Sequence, residues 1–158
     1  MNECGLVEGT GAGSCGWKGN MTRGDVVLIL CRNAGSPSVY GVSNPFTDVK
    51  STDYYYEAVL WAYRNNVVNG TSTTTFGPKG KITREQIASI LWRLAGKPVY
   101  SASLRSYTDY ASVSDYAYDA ICWAVGSGYV KGSGAKLSPK NNATRAEVAV
   151  MLHRYLTK

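Results

Sequence analysis

Histidine is almost missing from this chain and cysteine is scarce. One His, His153, and four Cys leave no ligand set with zinc spacing, so no metal is expected. Cys31 and Cys122 fall inside helical patterns and read as small core residues. Cys4 and Cys15 flank a glycine-rich loop, where a bridge requires a distance that sequence does not supply. No apolar run approaches the ~18 residues that a membrane span needs, so membrane insertion is not expected. The N-terminus has neither the basic nor the apolar region of a signal peptide, so an exported form is expected to belong to something longer. Lys and Arg are dispersed, without the basic run of a nucleic-acid arm, and nucleic acid is not an expected partner. Of the eleven acids no pair is marked by context as a glycosidase pair. No catalytic residue and no cofactor is expected.

What the chain does contain is globular in kind, at 44% hydrophobic and 18% charged. A net charge of +6 and a pI near 9.2 favour an anionic partner, and on charge alone an acidic glycan serves as well as DNA. Tyrosine outnumbers phenylalanine twelve to two, a choice that suits sugar-stacking surfaces and half-buried positions alike.

The dominant feature is a phrase written three times. Thr22-Arg23-Gly24-Asp25, Thr83-Arg84-Glu85-Gln86 and Thr144-Arg145-Ala146-Glu147 recur at a spacing of 61 residues. Each precedes apolar residues at helical period: Val26, Ile29, Leu30; then Ile87, Ile90, Leu91, Leu94; then Val148, Met151, Leu152, Leu156. A Thr followed three residues on by an acid or amide is a capping box, worth about 1 kcal/mol. Helix initiation therefore accounts for the Thr and for the fourth residue.

It does not account for the arginine. Arg23, Arg84 and Arg145 occupy the first helical position, where the macrodipole is positive and a cation is unfavourable by about 0.3–1 kcal/mol. Two readings stay open. Each Arg pairs with an acid from a neighbouring repeat, or it points an anion-binding guanidinium into a groove.

The spacing divides the chain into a rear half-repeat over 1–35, a linker over 36–45, a repeat over 46–98, a linker over 99–106 and a repeat over 107–158. In each full repeat an aromatic-Thr-Asp opening (Phe46-Thr47-Asp48, Tyr107-Thr108-Asp109) leads to a front helix with Trp61 or Trp123 among alanines. A glycine-bearing loop and the capped rear helix follow. Gly35, Asn66, Gly96 and Gly128 read as helix terminators. Trp61 and Trp123 are expected in the core, and the position of Cys31, Trp92 and His153 is expected to face solvent. Asp48 and Asp109 read as local turn or Asx caps. Gly9, Gly70 and Gly132 are expected to serve positive-φ turns, or to let a sugar approach the backbone. A helix pair of this size cannot bury its apolar stripe alone, so the copies must stack.

The ordered set Phe46-Thr47-Asp48-Val49, Tyr56, Ala58, Trp61-Ala62, Gly70, Phe76, Pro78 and Ile82-Thr83-Arg84 resembles the S-layer homology repeat. The segment 107–154 is a second full match, and 6–34 matches the rear half of another. The resemblance implies an all-α fold of tandem helix-loop-helix repeats in a pseudo-threefold module with grooves between repeats. It implies a non-catalytic role, attachment to an anionic, often pyruvylated, secondary cell-wall polysaccharide, at an extracellular cell-wall or S-layer location. Carried over residue by residue, ligand binding falls on Arg23, Arg84 and Arg145; Glu147, Gly70 and Gly132 complete the set expected to meet a ligand. A guanidinium matches a pyruvate carboxylate bidentately, and a helix N-terminus would add backbone N–H groups. Only the third phrase matches the family pattern in full, since Gly24, Asp25, Glu85 and Gln86 depart from it. The alternatives are a surface self-assembly module, in which a second copy completes the shortened first repeat as a homo-oligomer, and the non-catalytic part of a wall-active enzyme.

Overall fold

The computed structural model describes residues 18–157, and the readings placed on Gly5, Gly9, Cys4 and Cys15 lie outside them. Among the described residues there are five α-helices: α1 (Arg23–Asn33), α2 (Tyr56–Arg64), α3 (Arg84–Leu94), α4 (Tyr118–Gly126) and α5 (Arg145–Leu156). Two 3-10 turns, Tyr110–Ser112 and Asp115–Ala117, precede α4. Among the described residues there are isolated β-bridges and no strand, so the class is all-α.

The starts of the rear helices are set locally. All three capping boxes form: Thr22 with Asp25, Thr83 with Gln86 and Thr144 with Glu147. The front helices α2 and α4 have no side-chain cap at all. They hold instead through burial of Ala58, Trp61 and Ala62, and of Ala120, Trp123 and Ala124. The helix stops behave as read, with positive φ at Gly35 (85°), Asn66 (56°), Gly96 (87°) and Gly128 (79°).

The chain forms two compact units. The first is Met21–Lys81; the second contains Ile82–Lys158 and takes in described residues 18–20. In the first, α1 packs on α2; in the second, α3 packs on α4 and on the 3-10 turn before it. Packing is thus half a period out of step with the sequence repeat, α1 and α3 each joining the front helix that follows. The first core includes a tilted Phe46–Phe76 pair at 5.5 Å. The second sets Trp123 against Tyr129 at 5.0 Å, with Tyr155 edge-on to Tyr129 at 5.6 Å.

One position departs from expectation. His153 is exposed, but Cys31 is buried and Trp92 is half-buried, its Nε1 donating to the Pro98 carbonyl at 3.0 Å. Solvent exposure fails for Cys31 because α2 packs along α1 there. Burial, reinforced by the Glu57 carboxylate, pushes the Cys31 thiol above its ordinary pKa, and burial with Asp119 does the same for Cys122. Both are inert core thiols.

Candidate functional site: a clamped loop beside a basic cavity

The aromatic-Thr-Asp openings act at long range. Asp48 accepts from the N–H groups of Phe76 and Gly77 at 2.8 Å each, and Asp109 from those of Leu137 and Ser138, again at 2.8 Å each. Neither is the local turn cap that the sequence suggested; each carboxylate reaches 28 and 29 residues along the chain. The threonines beside them donate to Thr74 O and Ala135 O. Burial alone would raise the Asp109 pKa. The N–H groups of Leu137 and Ser138, with Lys136 nearby, outweigh it and hold the carboxyl below its ordinary value.

The recurring arginines grip the same loops from the opposite side. Arg23 Nε donates to Phe76 O at 3.1 Å, and Arg84 Nε donates to Leu137 O at 3.0 Å. One residue of each loop is therefore held at both ends, its N–H by an aspartate and its C=O by an arginine. The cation at a positive helix start is offset by a carbonyl that would otherwise be buried without a donor.

The helix starts are also occupied. Arg23 N and Gly24 N donate to Gly80 O and Pro78 O, and Arg84 N and Glu85 N to Asn141 O and Pro139 O. The anion seat expected at these N-termini is therefore filled by loop carbonyls, because the loop turns back across the helix end. Arg145 N donates to Gly19 O at 2.8 Å in the same manner.

Gly70 and Gly132 adopt no positive φ, contrary to expectation. Their constraint is space. A Cβ on Gly70 would lie 2.2 Å from Ser72 O and 2.8 Å from the Phe46 ring; on Gly132 it would lie 2.7 Å from Lys136 O and from the Tyr107 ring.

Beyond this shared scaffold the units diverge. Arg23 is only 8% exposed, its guanidinium 4.8 Å from the Phe76 ring centroid and its Nη2 donating to Asn69 O at 3.2 Å. Arg84 meets Leu137 in place of a ring and opens onto a cavity of about 640 Å3 in the second unit. There Arg84 Nη1 pairs with Glu147 Oε1 at 3.2 Å and Nη2 donates to Lys131 O at 3.4 Å. Arg84 thus pairs with an acid of the next repeat, the first of the two sequence readings, and also lines an open cavity.

The cavity brings together Arg84, Glu147 and Gly132 from the residues singled out in the sequence. It adds Lys131, Arg154 and Tyr129, which sequence reasoning missed. Arg154 had a signal, since Arg32, Arg93 and Arg154 recur at the same 61-residue spacing; Lys131 has none. Among the described residues, three cations against one carboxylate make the lining net positive. Its volume falls within the range of small-molecule sites, roughly 300–1,000 Å3.

Behind Arg84, the departing residue Glu85 is 3% exposed and fully engaged. It accepts from Ser114 N, Ser114 Oγ, Tyr116 Oη and Lys140 Nζ. Burial opposes its charge, but the Ser114 N–H, the Lys140 ammonium and the Ser114 hydroxyl together lower its pKa.

Comparison with known proteins adds to this geometry. The sequence model of the S-layer homology domain matches residues 45–88 and 106–149. The Surface-layer 125 kDa protein of Lysinibacillus sphaericus is 30% identical over 96% of this chain and 13% of its own length. An Amylopullulanase of Thermoanaerobacterium thermosulfurigenes is 33% identical over 73% of this chain and 6% of its own length. An Endoglucanase of Bacillus sp. (strain KSM-635) is 34% identical over 70% of this chain and 11% of its own length. The chain thus spans only a small part of the relatives it matches.

Proposed function

The chain belongs to the S-layer homology family, and on that footing we propose that it is a non-catalytic module holding an anionic cell-wall polysaccharide in the Arg84 cavity. Modules of this family anchor proteins at the bacterial cell surface. The observation that carries the finer reading is the cavity lining: Arg84, Lys131 and Arg154 line one open space. The Lys131 side chain is exposed and makes no hydrogen bond or ion pair among the described residues, which leaves its ammonium to a ligand. A pyruvylated glycan fits this chemistry, offering carboxylates to the cations. The location that goes with this reading is extracellular, at the cell wall or S-layer.

Retention on purified Gram-positive sacculi tests it. Arg84→Ala is expected to weaken retention by about tenfold or more, the worth of a charge-assisted contact. Mild acid treatment that removes ketal-linked pyruvate from the sacculi should have a similar effect. Unchanged retention in both experiments would remove the site. Arg145, and Arg23 with Gly70, are the sequence counterparts of Arg84 and Gly132, and their part in binding is read in the same assay.

The alternative reading is a surface assembly module. Light scattering across a concentration series distinguishes it, with a strictly monomeric species counting against assembly.

A further inference from the structure

We infer that Glu147 is a built-in competitor in the Arg84 cavity, an internal carboxylate that an acidic ligand must displace from the guanidinium. The inference rests on the cavity's proposed role and gives Glu147 the opposite sign to a ligand-binding group.

Glu147 performs two tasks with two oxygens. Its Oε2 accepts the Thr144 N–H at 2.8 Å and closes the capping box of α5, while its Oε1 accepts from Arg84 Nη1 at 3.2 Å. The cap needs an oxygen and no charge. The chain itself demonstrates this in α3, where the neutral Gln86 Oε1 accepts the Thr83 N–H at 3.0 Å and the box is complete; in α1 the shorter acid Asp25 closes the box through Oδ2 at 3.4 Å. The charge on Glu147 is thus surplus to helix initiation, and it is paired with Arg84.

The consequence for a ligand follows from the donor inventory. A guanidinium has five N–H groups. In Arg84 three are engaged, by Leu137 O, Lys131 O and Glu147 Oε1. The first two acceptors are backbone and fixed by the loop. Glu147 is the movable one, with its side chain 40% exposed against 13% for Arg84. A ligand carboxylate seeking a bidentate fork on Arg84 meets that oxygen first. The arrangement weakens binding of any single anion and favours ligands that also engage Lys131 and Arg154, which is specificity gained by an unfavourable element.

The test is a calorimetric titration with a methyl glycoside bearing ketal-linked pyruvate, alongside its pyruvate-free parent. Glu147→Gln keeps the cap as α3 does, and its amide NH2 cannot accept from Arg84. It is expected to tighten the acidic glycoside by about two- to fivefold, the range of a partly exposed ion pair, with no change for the parent. Glu147→Asp keeps the charge and, as in α1, the cap; it is expected to show no tightening. Thermal midpoints of both variants should stay near that of the wild type, which a purely structural role would not allow. Unchanged or weaker binding in Glu147→Gln, while wild type binds and Arg84→Ala does not, overturns this inference alone. Absence of binding in the wild type overturns the cavity's proposed role, and this inference with it.

Discussion

The unit Met21–Lys81 and the unit containing Ile82–Lys158 use the same clamp for different ends. In each an aspartate and an arginine hold one loop residue between them. In the first, the residue after the arginine is Gly24, and a Cβ there would come within 3.0 Å of the buried Tyr55 ring and 3.1 Å of Pro78 O. In the second that residue is Glu85, and alanine (Ala117) stands where Tyr55 does one repeat earlier. A ring against no side chain has become a buried carboxylate network beside a methyl group. The loop residue changes in parallel, from Phe76, which stacks under its arginine, to Leu137, which does not. A shared backbone device thus serves as a packed plug in one place and as the floor of an open cavity in the other, and a few side chains decide which.

Several substitutions would break or sharpen that contrast. The largest effect is expected from Gly70→Ala, about 3 kcal/mol of destabilisation, because its Cβ would strike two backbone carbonyls. Gly132→Ala, with looser contacts, should cost nearer ~1–2 kcal/mol; equal losses by urea titration would show the loops to be equally packed. Next come Asp48→Ala and Asp109→Ala, each stranding two loop N–H groups at about 2 kcal/mol. The two should destabilise alike, yet only Asp109→Ala should also reduce retention on sacculi, since Leu137 and Ser138 line the cavity. If both variants reduce retention equally, the contrast between units fails. Thr22→Ala, Thr83→Ala and Thr144→Ala should each cost about 1 kcal/mol, read as helix-start exchange by hydrogen–deuterium measurement.

The smallest expected effect is on pH. Glu85 and Asp109 have folded-state pKa values below their ordinary 4.5 and 3.8, so both bind protons more readily when unfolded. Their stabilisation is complete above those ordinary values and is lost as pH falls past them and on through the lower folded values. Exchange protection in α3 and the 137–141 loop should therefore fall with acid in that window. Glu85→Gln should flatten the response in α3.

Much of the fold was legible in the chain, for a reason visible residue by residue. Thr83 finds its partner three positions on, and Asn66 or Gly128 needs only its own φ. Trp61 and Trp123 sit among alanines at helical spacing, and periodicity suffices to bury them. The site was legible in part. Recurrence marked Arg84, and the same recurrence marked Arg154 unnoticed, whereas Lys131 lies on a loop with no period to betray it. Recurrence marks Asp48 and Asp109, but spacing suggests only a local role for them, because their partners lie 28 and 29 residues away.

The sequence by itself determined where helices begin and end, which stripe is apolar, that one unit recurs at 61 residues, and through that the family. These depend on interactions within a turn or two of backbone, where spacing along the chain is spacing in space. Tertiary structure alone decided that the arginines hold loop carbonyls, that those loops close off the helix starts, and that Arg84 faces both Glu147 and an open cavity. Those outcomes depend on the path of a loop between helices, and that path is set by which groups it must satisfy on arrival.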